Sequence, residues 1–410
     1  MNTLAATTPA GSVTPAVPDQ RSYRISSIDM LRGLVIALMA IDHARDFLMI
    51  SSTQDPMSDP NVGPALFFTR WITHFCAPVF VLLAGTSAGL MSTRKSPQTL
   101  GSFLLKRGLW LIVVEIVFIS FAWSFSISIP DFGGRYLVAM QVIWAIGASM
   151  VVLAGAQFLG RKACLAIGLI LLIGHNALDP FWPTAGMLDV GLPLWASLHT
   201  QSAYVMGPFF VIGAYPLLPW IGVMLTGYGL AAVFERSPDE RFRLLIRIGT
   251  VLTILFVVVR AIDLYGDPNG WIVQEGGAVA TLIDFVNTTK YPPSLSFLLM
   301  TLGPALIFTA FAERMSGFLK DTLVMFGRVP FAFYVAHLYL LHLFAIVLGL
   351  FQGFAPSDFM TVFFLFPASF GLGLGGVYVG WLLAMVMLYP LCKWVAGVKA
   401  RRKTWWLSYV

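Results

Sequence analysis

The sequence predicts an all-α fold, a polytopic transmembrane helix bundle of about ten spans with both termini in the cytoplasm. Three observations carry that prediction. The 410 residues are 58% hydrophobic and only 11% charged, with a mean hydropathy of +0.80, which excludes an ordinary soluble globule. Apolar windows of roughly twenty residues, the length that crosses a hydrocarbon core, recur near 28–50, 74–92, 106–126, 137–158, 162–178, 208–233, 244–262, 294–312, 328–350 and 374–396. Basic residues segregate between the resulting loops. Those with Arg94, Lys95, Arg161, Lys162, Arg236, Arg241, Arg314, Lys320 and the 393–403 end fall on one side, whereas the opposite loops hold only Arg70, Arg135 and Lys290.

Taken in order, residues 1–22 are Ala/Thr/Pro-rich and lack the basic start of a signal peptide, which predicts a disordered cytoplasmic tail. From 23 to 398 the loops are too short for a separate soluble unit, so this stretch is one transmembrane domain, followed by a basic cytoplasmic tail at 399–410. The fifth window is the shortest, but dropping it scrambles the charge segregation, so it is kept. Pro292 and Pro293 suit the start of the eighth helix. Between Asp358 and Lys393 there is no charge, which predicts a single crossing preceded by an interfacial or re-entrant piece around Pro367. The net charge of +6 follows topology and does not indicate a nucleic-acid partner. Cys76, Cys164 and Cys392 stand in apolar stretches without paired spacing, so neither a disulfide framework nor a metal is expected.

The first span carries the chemistry. Asp29, Arg32, Asp42, His43, Arg45 and Asp46 all lie on it, although each ionisable group costs roughly 2.5–3.5 kcal/mol at a bilayer centre on insertion scales. At 100° per residue, Asp29, Arg32, Gly33, Ile36, Ala40 and His43 share one helix face. That stripe runs about 21 Å along the axis. One carboxylate of Asp42 or Asp46 is placed to orient the His43 ring. On this topology Arg70 and His74, Arg260, Lys290 and His337 bring further polar groups to the outer half of the bundle, while Arg107 and Arg328 join Asp29 and Arg32 at the inner end. A basic inner cluster linked by a polar stripe to outer histidines suits a long anionic donor such as acetyl-CoA: arginines hold phosphates as forked donors, and a histidine takes a proton from an attacking amine or hydroxyl.

At S-I-D-M-L-R-G-L-V-I-A-L-M-A-I-D-H-A-R-D-F the chain resembles the heparan-alpha-glucosaminide N-acetyltransferase-like family of polytopic membrane proteins. The likeness continues in R-W-I-T-H-F-C-A-P-V-F-V-L-L-A-G-T-S, K-R-G-L-W-L, K-Y-P-P-S-L and F-G-R-V-P-F-A-F-Y-V-A-H. The resemblance implies a bacterial inner-membrane, multi-pass acyltransferase that takes an acetyl group from cytosolic acetyl-CoA, without a metal, to an amine or hydroxyl of an amino sugar or glycan on the far side. Membrane lipid is its surroundings, and a homodimer is compatible with it. In the family's lysosomal enzyme the catalytic histidine stands in the loop after the first span, where this chain has Pro64 and its neighbours, so the choice here lies between His43 and His74. Asp29 and Arg32 also resemble the opening of the broader membrane acyltransferase group. The competing class is a proton-coupled secondary transporter of a small polar solute, since buried Asp, His and Arg on several spans also describe such a carrier.

Overall fold

The computed structural model describes residues 25–50, 56–57, 62–363 and 365–402. The expected 1–22 tail, and 403–410 of the expected C-terminal tail, lie outside the described residues. The architecture is a helical bundle, and its helices follow the apolar windows: α1 Ser26–Leu48, α2 Pro64–Ile72 running through a 3-10 turn into α3 Cys76–Met91, α4 Pro97–Val114, a π-turn at Glu115–Ile119 and α5 Ser120–Ser124, then α6 Val142–Ala156, α7 Arg161–Gly174, α8 Leu217–Phe234 and α9 Pro238–Ile262. The second half adds α10 Ala278–Val286, α11 Leu295–Ala312, α12 Phe318–Arg328, α13 Pro330–Phe351 and α14 Leu374–Arg401. Eight helices among the described residues are long and apolar enough to cross a membrane, as an integral membrane protein requires. Helix α1 is of similar length but carries Asp29, Arg32, Asp42, Arg45 and Asp46.

One feature departs from an all-α bundle. Strands β1 Tyr136–Met140, β2 Ser202–Met206 and β3 Phe209–Gly213 form a small sheet in the order β1-β3-β2, β1 parallel and β2 antiparallel to β3. The windows at 137–158 and 208–233 therefore each begin as a strand, because a five-residue apolar run carries no periodicity that separates strand from helix. Helix α14 continues to Arg401, so Lys399, expected in the C-terminal tail, is helical.

Helix α1 lies at the centre, packed against α3, α11, α12, α13 and α14. That is why Met30, Val35, Ile36, Ala40 and Ala44 on different faces are all buried. Its crossing with α12 is backbone to backbone: a Cβ on Gly33 would lie inside the Leu323 carbonyl, and one on Gly327 inside the Asp29 carbonyl. At one end Ser27 donates to Glu313 Oε1 (3.0 Å), and Arg241 holds both oxygens of that carboxylate (2.6 and 2.9 Å), tying α1, α9 and the end of α11 together. The Glu115 carboxylate in the π-turn accepts from the Gln141 and Trp144 backbone N–H groups (3.2 and 3.0 Å), capping α6 from a neighbouring helix. Between α13 and α14 the chain folds back without a membrane-length helix, burying Phe359, Phe363, Phe366 and Phe370 and bridging Leu372 to Met49 at the end of α1. His342 pins this segment, its ring nitrogens lying 2.8 Å from the Ala122 carbonyl and 2.9 Å from that of Phe359.

Candidate active site

The Asp29 end of α1 opens into a cleft of about 310 Å³. Asp29, 3% exposed, orients Arg32, which donates to Asp29 Oδ1 (3.1 Å), the Gly327 carbonyl (3.4 Å) and Ser87 Oγ on α3 (3.2 Å). Arg328 stands with Nε 4.0 Å from Asp29 Oδ2, and Lys399 donates to the Arg328 carbonyl (3.3 Å). Arg32, Arg107, Arg328 and Lys399 all line the cleft. The rest of its lining is largely apolar, with Phe80, Leu104, Leu111, Ile143 and Ile146, and it also includes Tyr334. The buried Tyr334 hydroxyl has no hydrogen-bond partner among the described residues, and the Tyr334 and His337 ring centres are 5.6 Å apart. A ligand that carries both anionic groups and an apolar arm matches this mixed lining.

At the far end of the stripe, His43 Nδ1 lies 2.6 Å from His337 Nε2 on α13. The two rings are stacked, 4.9 Å apart and 18° from parallel, and Trp123 meets His43 edge-on at 5.2 Å. His337 is fully buried, with its Nδ1 3.1 Å from the Phe333 carbonyl oxygen. His43 keeps some exposure, and its Nε2 has no hydrogen-bond partner among the described residues. The carboxylate expected to orient His43 is engaged elsewhere. Asp42 accepts from Arg70 (2.6 Å) and Arg45 (3.4 Å), and Arg45 also donates to Asp46 (2.5 Å). Two acids and two guanidiniums thus pair with one another at the Asp46 end, as buried charges must, although the Nε of Arg45 and of Arg70 finds no partner among the described residues. They form a charged frame beside His43, with the imidazole's own contact coming from His337. Lys290 stands within electrostatic reach of Asp42, His43 and His74, and its ammonium lies 5.1 Å from the Tyr291 ring centre.

Two expected site residues turn out differently. His74 packs its ring on Phe297 at 5.2 Å rather than on His43. Arg260 is 1% exposed and donates to the backbone carbonyls of Phe285 (2.9 Å), Asn269 (2.5 Å), Asp284 (3.2 Å) and Asn287 (3.1 Å). Its planar fork fastens the loop between α9 and α11. We expect Arg260→Met to lower the thermal midpoint, as buried carbonyls lose their donor at a cost of about 1–3 kcal/mol, without changing affinity for a ligand in the cleft. Calorimetry of the two purified proteins checks this.

Sequence reasoning missed Ser87, Tyr334 and Lys399. Tyr334 was within reach, since it stands three residues before His337 and so on the same face of α13. Among the described residues no group of three or more His, Cys, Asp or Glu is arranged to hold a metal ion.

Residues 24–261 match the family described as "Heparan-alpha-glucosaminide N-acetyltransferase, catalytic". No curated protein matches the chain. The matched stretch contains Asp29, Arg32, Asp42, His43, Arg45, Asp46, Arg70, His74, Arg107 and Arg260, and stops before Lys290, Arg328 and His337.

Proposed function

The chain belongs to the heparan-alpha-glucosaminide N-acetyltransferase catalytic family, and from that premise we propose that it moves an acetyl group from cytosolic acetyl-CoA to an amine or hydroxyl of an amino sugar or glycan on the outer side of a bacterial inner membrane. In this reading residues 23–398 form the transmembrane acyltransferase domain, in ten spans with both ends cytoplasmic. The observation that carries it is the cleft, whose lining combines four cations, apolar side chains and a tyrosine whose buried hydroxyl is unpartnered among the described residues and whose ring stands beside a histidine pair.

Arg32, Arg107, Arg328 and Lys399 hold the donor's phosphates, Arg32 with its direction already fixed by Asp29 and Ser87. Phe80, Leu104, Leu111 and Ile146 exclude water along the arm. Tyr334 offers its unpartnered hydroxyl to the thioester oxygen as charge develops there. His43 accepts a proton from the acceptor nitrogen or oxygen as that atom attacks the acetyl carbon. The carbon–sulfur bond then breaks, and the imidazolium returns the proton to the departing thiolate, leaving CoA thiol and acetylated acceptor. Arg70 and Lys290, with Asp42, frame the outer mouth where the acceptor enters.

Purified protein incubated with radiolabelled acetyl-CoA and glucosamine or muropeptide acceptors should yield labelled acceptor. Absence of product, together with solute flux driven by a proton gradient in proteoliposomes, would place the chain among carriers instead. Within the donor site, Arg328→Ala should raise the dissociation constant of CoA about 2- to 5-fold, since this arginine is 52% exposed and partly screened. Isothermal titration at two ionic strengths checks it, and unchanged binding would remove Arg328 from the phosphate site.

A further inference from the structure

We infer that His337, which lies outside the family match, is a positioning residue whose hydrogen bond fixes His43 in the tautomer with a bare Nε2. The inference rests on the transferase reading for its consequence, but the tautomer itself follows from geometry alone.

A carbonyl oxygen only accepts, so the contact between His337 Nδ1 and the Phe333 carbonyl at 3.1 Å requires the proton of His337 to be on Nδ1. In the neutral ring Nε2 is then an acceptor. The neutral form also fits the surroundings, because His337 is fully buried and touches no carboxylate among the described residues. Nε2 lies 2.6 Å from His43 Nδ1, and at that distance one of the two nitrogens must donate. With His337 Nε2 accepting, the donor is His43 Nδ1–H.

A neutral imidazole carries one N–H, so the His43 lone pair is left on Nε2, the nitrogen that makes no hydrogen bond among the described residues. The chain of assignments therefore runs from a backbone carbonyl on α13, through one imidazole, to a base on α1. It explains why the carboxylates beside His43 need not orient it: Asp42 and Asp46 are held by Arg70 and Arg45. When His43 takes the acceptor's proton at Nε2, its Nδ1–H contact to His337 is unchanged, so the ring stays in place throughout the step.

The test uses the full-length protein labelled with ¹⁵N-histidine, whose six histidines give few enough ring signals to assign His43 by difference against His43→Gln. The resting wild type should show His43 protonated at Nδ1 and bare at Nε2. His337→Leu should move that proton to Nε2 and lower kcat by about 10²-fold, within the range of a lost general base, while the KM for acetyl-CoA stays within about 2-fold. His337→Gln, whose amide oxygen can accept from His43 Nδ1–H, should restore at least a tenth of the lost rate and the wild-type tautomer. A wild-type His43 carrying its proton at Nε2 overturns the inference, as does a His337→Leu enzyme with undiminished kcat. Because the spectrum needs no turnover and no variant of His337, it decides the tautomer even if the wild type transfers nothing, an outcome that would remove the transferase reading alone.

Discussion

His43→Ala should lower kcat for acetyl transfer by about 10²- to 10⁴-fold, the range of a deleted general base, with the KM for acetyl-CoA nearly unchanged. The separation of the two constants follows from the layout of the site. The cations proposed to hold the donor line the cleft at the Asp29 end of α1, whereas His43 lies fourteen residues further along the helix, about 21 Å by helical rise. Truncation removes the proposed base and its contacts with His337 and Trp123, and leaves the ion pairs among Asp42, Arg45, Asp46 and Arg70 intact. Folding should therefore survive, and a thermal midpoint close to wild type is part of the prediction. Initial rates with labelled acetyl-CoA check it. Full activity in the variant would transfer the role to His74, whose Nδ1 is buried without a partner among the described residues.

The largest effect on stability should come from Gly327→Ala. The added Cβ falls inside the Asp29 carbonyl and close to the Gly33 backbone, none of which is the movable end of a side chain. Relief requires α1 and α12 to separate, which strips packing from Met30, Leu323 and Val324 and breaks the Arg32 contact with the Gly327 carbonyl. A clash that the backbone must absorb belongs with the exceptional losses, above about 4 kcal/mol. The same outcome is expected of Gly33→Ala from the other side of the crossing, where the Leu323 carbonyl is met. Thermal unfolding and size-exclusion profiles in detergent measure it. A midpoint within a few degrees of wild type for both variants would mean that the two backbones do not touch.

Much of this arrangement was legible in the sequence because it is written in periodicity. The face shared by Asp29, Arg32, Gly33, Ile36, Ala40 and His43 runs along one side of α1, with Asp29, Gly33, Ile36 and Ala40 buried and Arg32 and His43 partly buried, on a central helix that is buried on its other faces as well. What could not be read depends on partners that leave no local trace. His337 reaches His43 across 294 residues of sequence, and no spacing rule links them. The guanidinium of Arg260 is satisfied by carbonyls, which every residue carries, so nothing in the sequence distinguishes a loop fastener from a ligand of substrate. Lys399 looked like part of a tail because basic residues follow it, but α14 continues through it to Arg401. The strands at Tyr136–Met140 and Phe209–Gly213 hid within apolar windows that hydropathy alone cannot divide.

A cryo-electron-microscopy structure of the purified protein with acetyl-CoA tests the account's core most directly. The donor's phosphates should lie among Arg32, Arg107, Arg328 and Lys399, its arm along Phe80, Leu104 and Ile146, and its thioester beyond Tyr334 within reach of His43 Nε2. Density for the donor outside this cleft, or a thioester left at the cationic mouth with the path past Tyr334 closed, would contradict it.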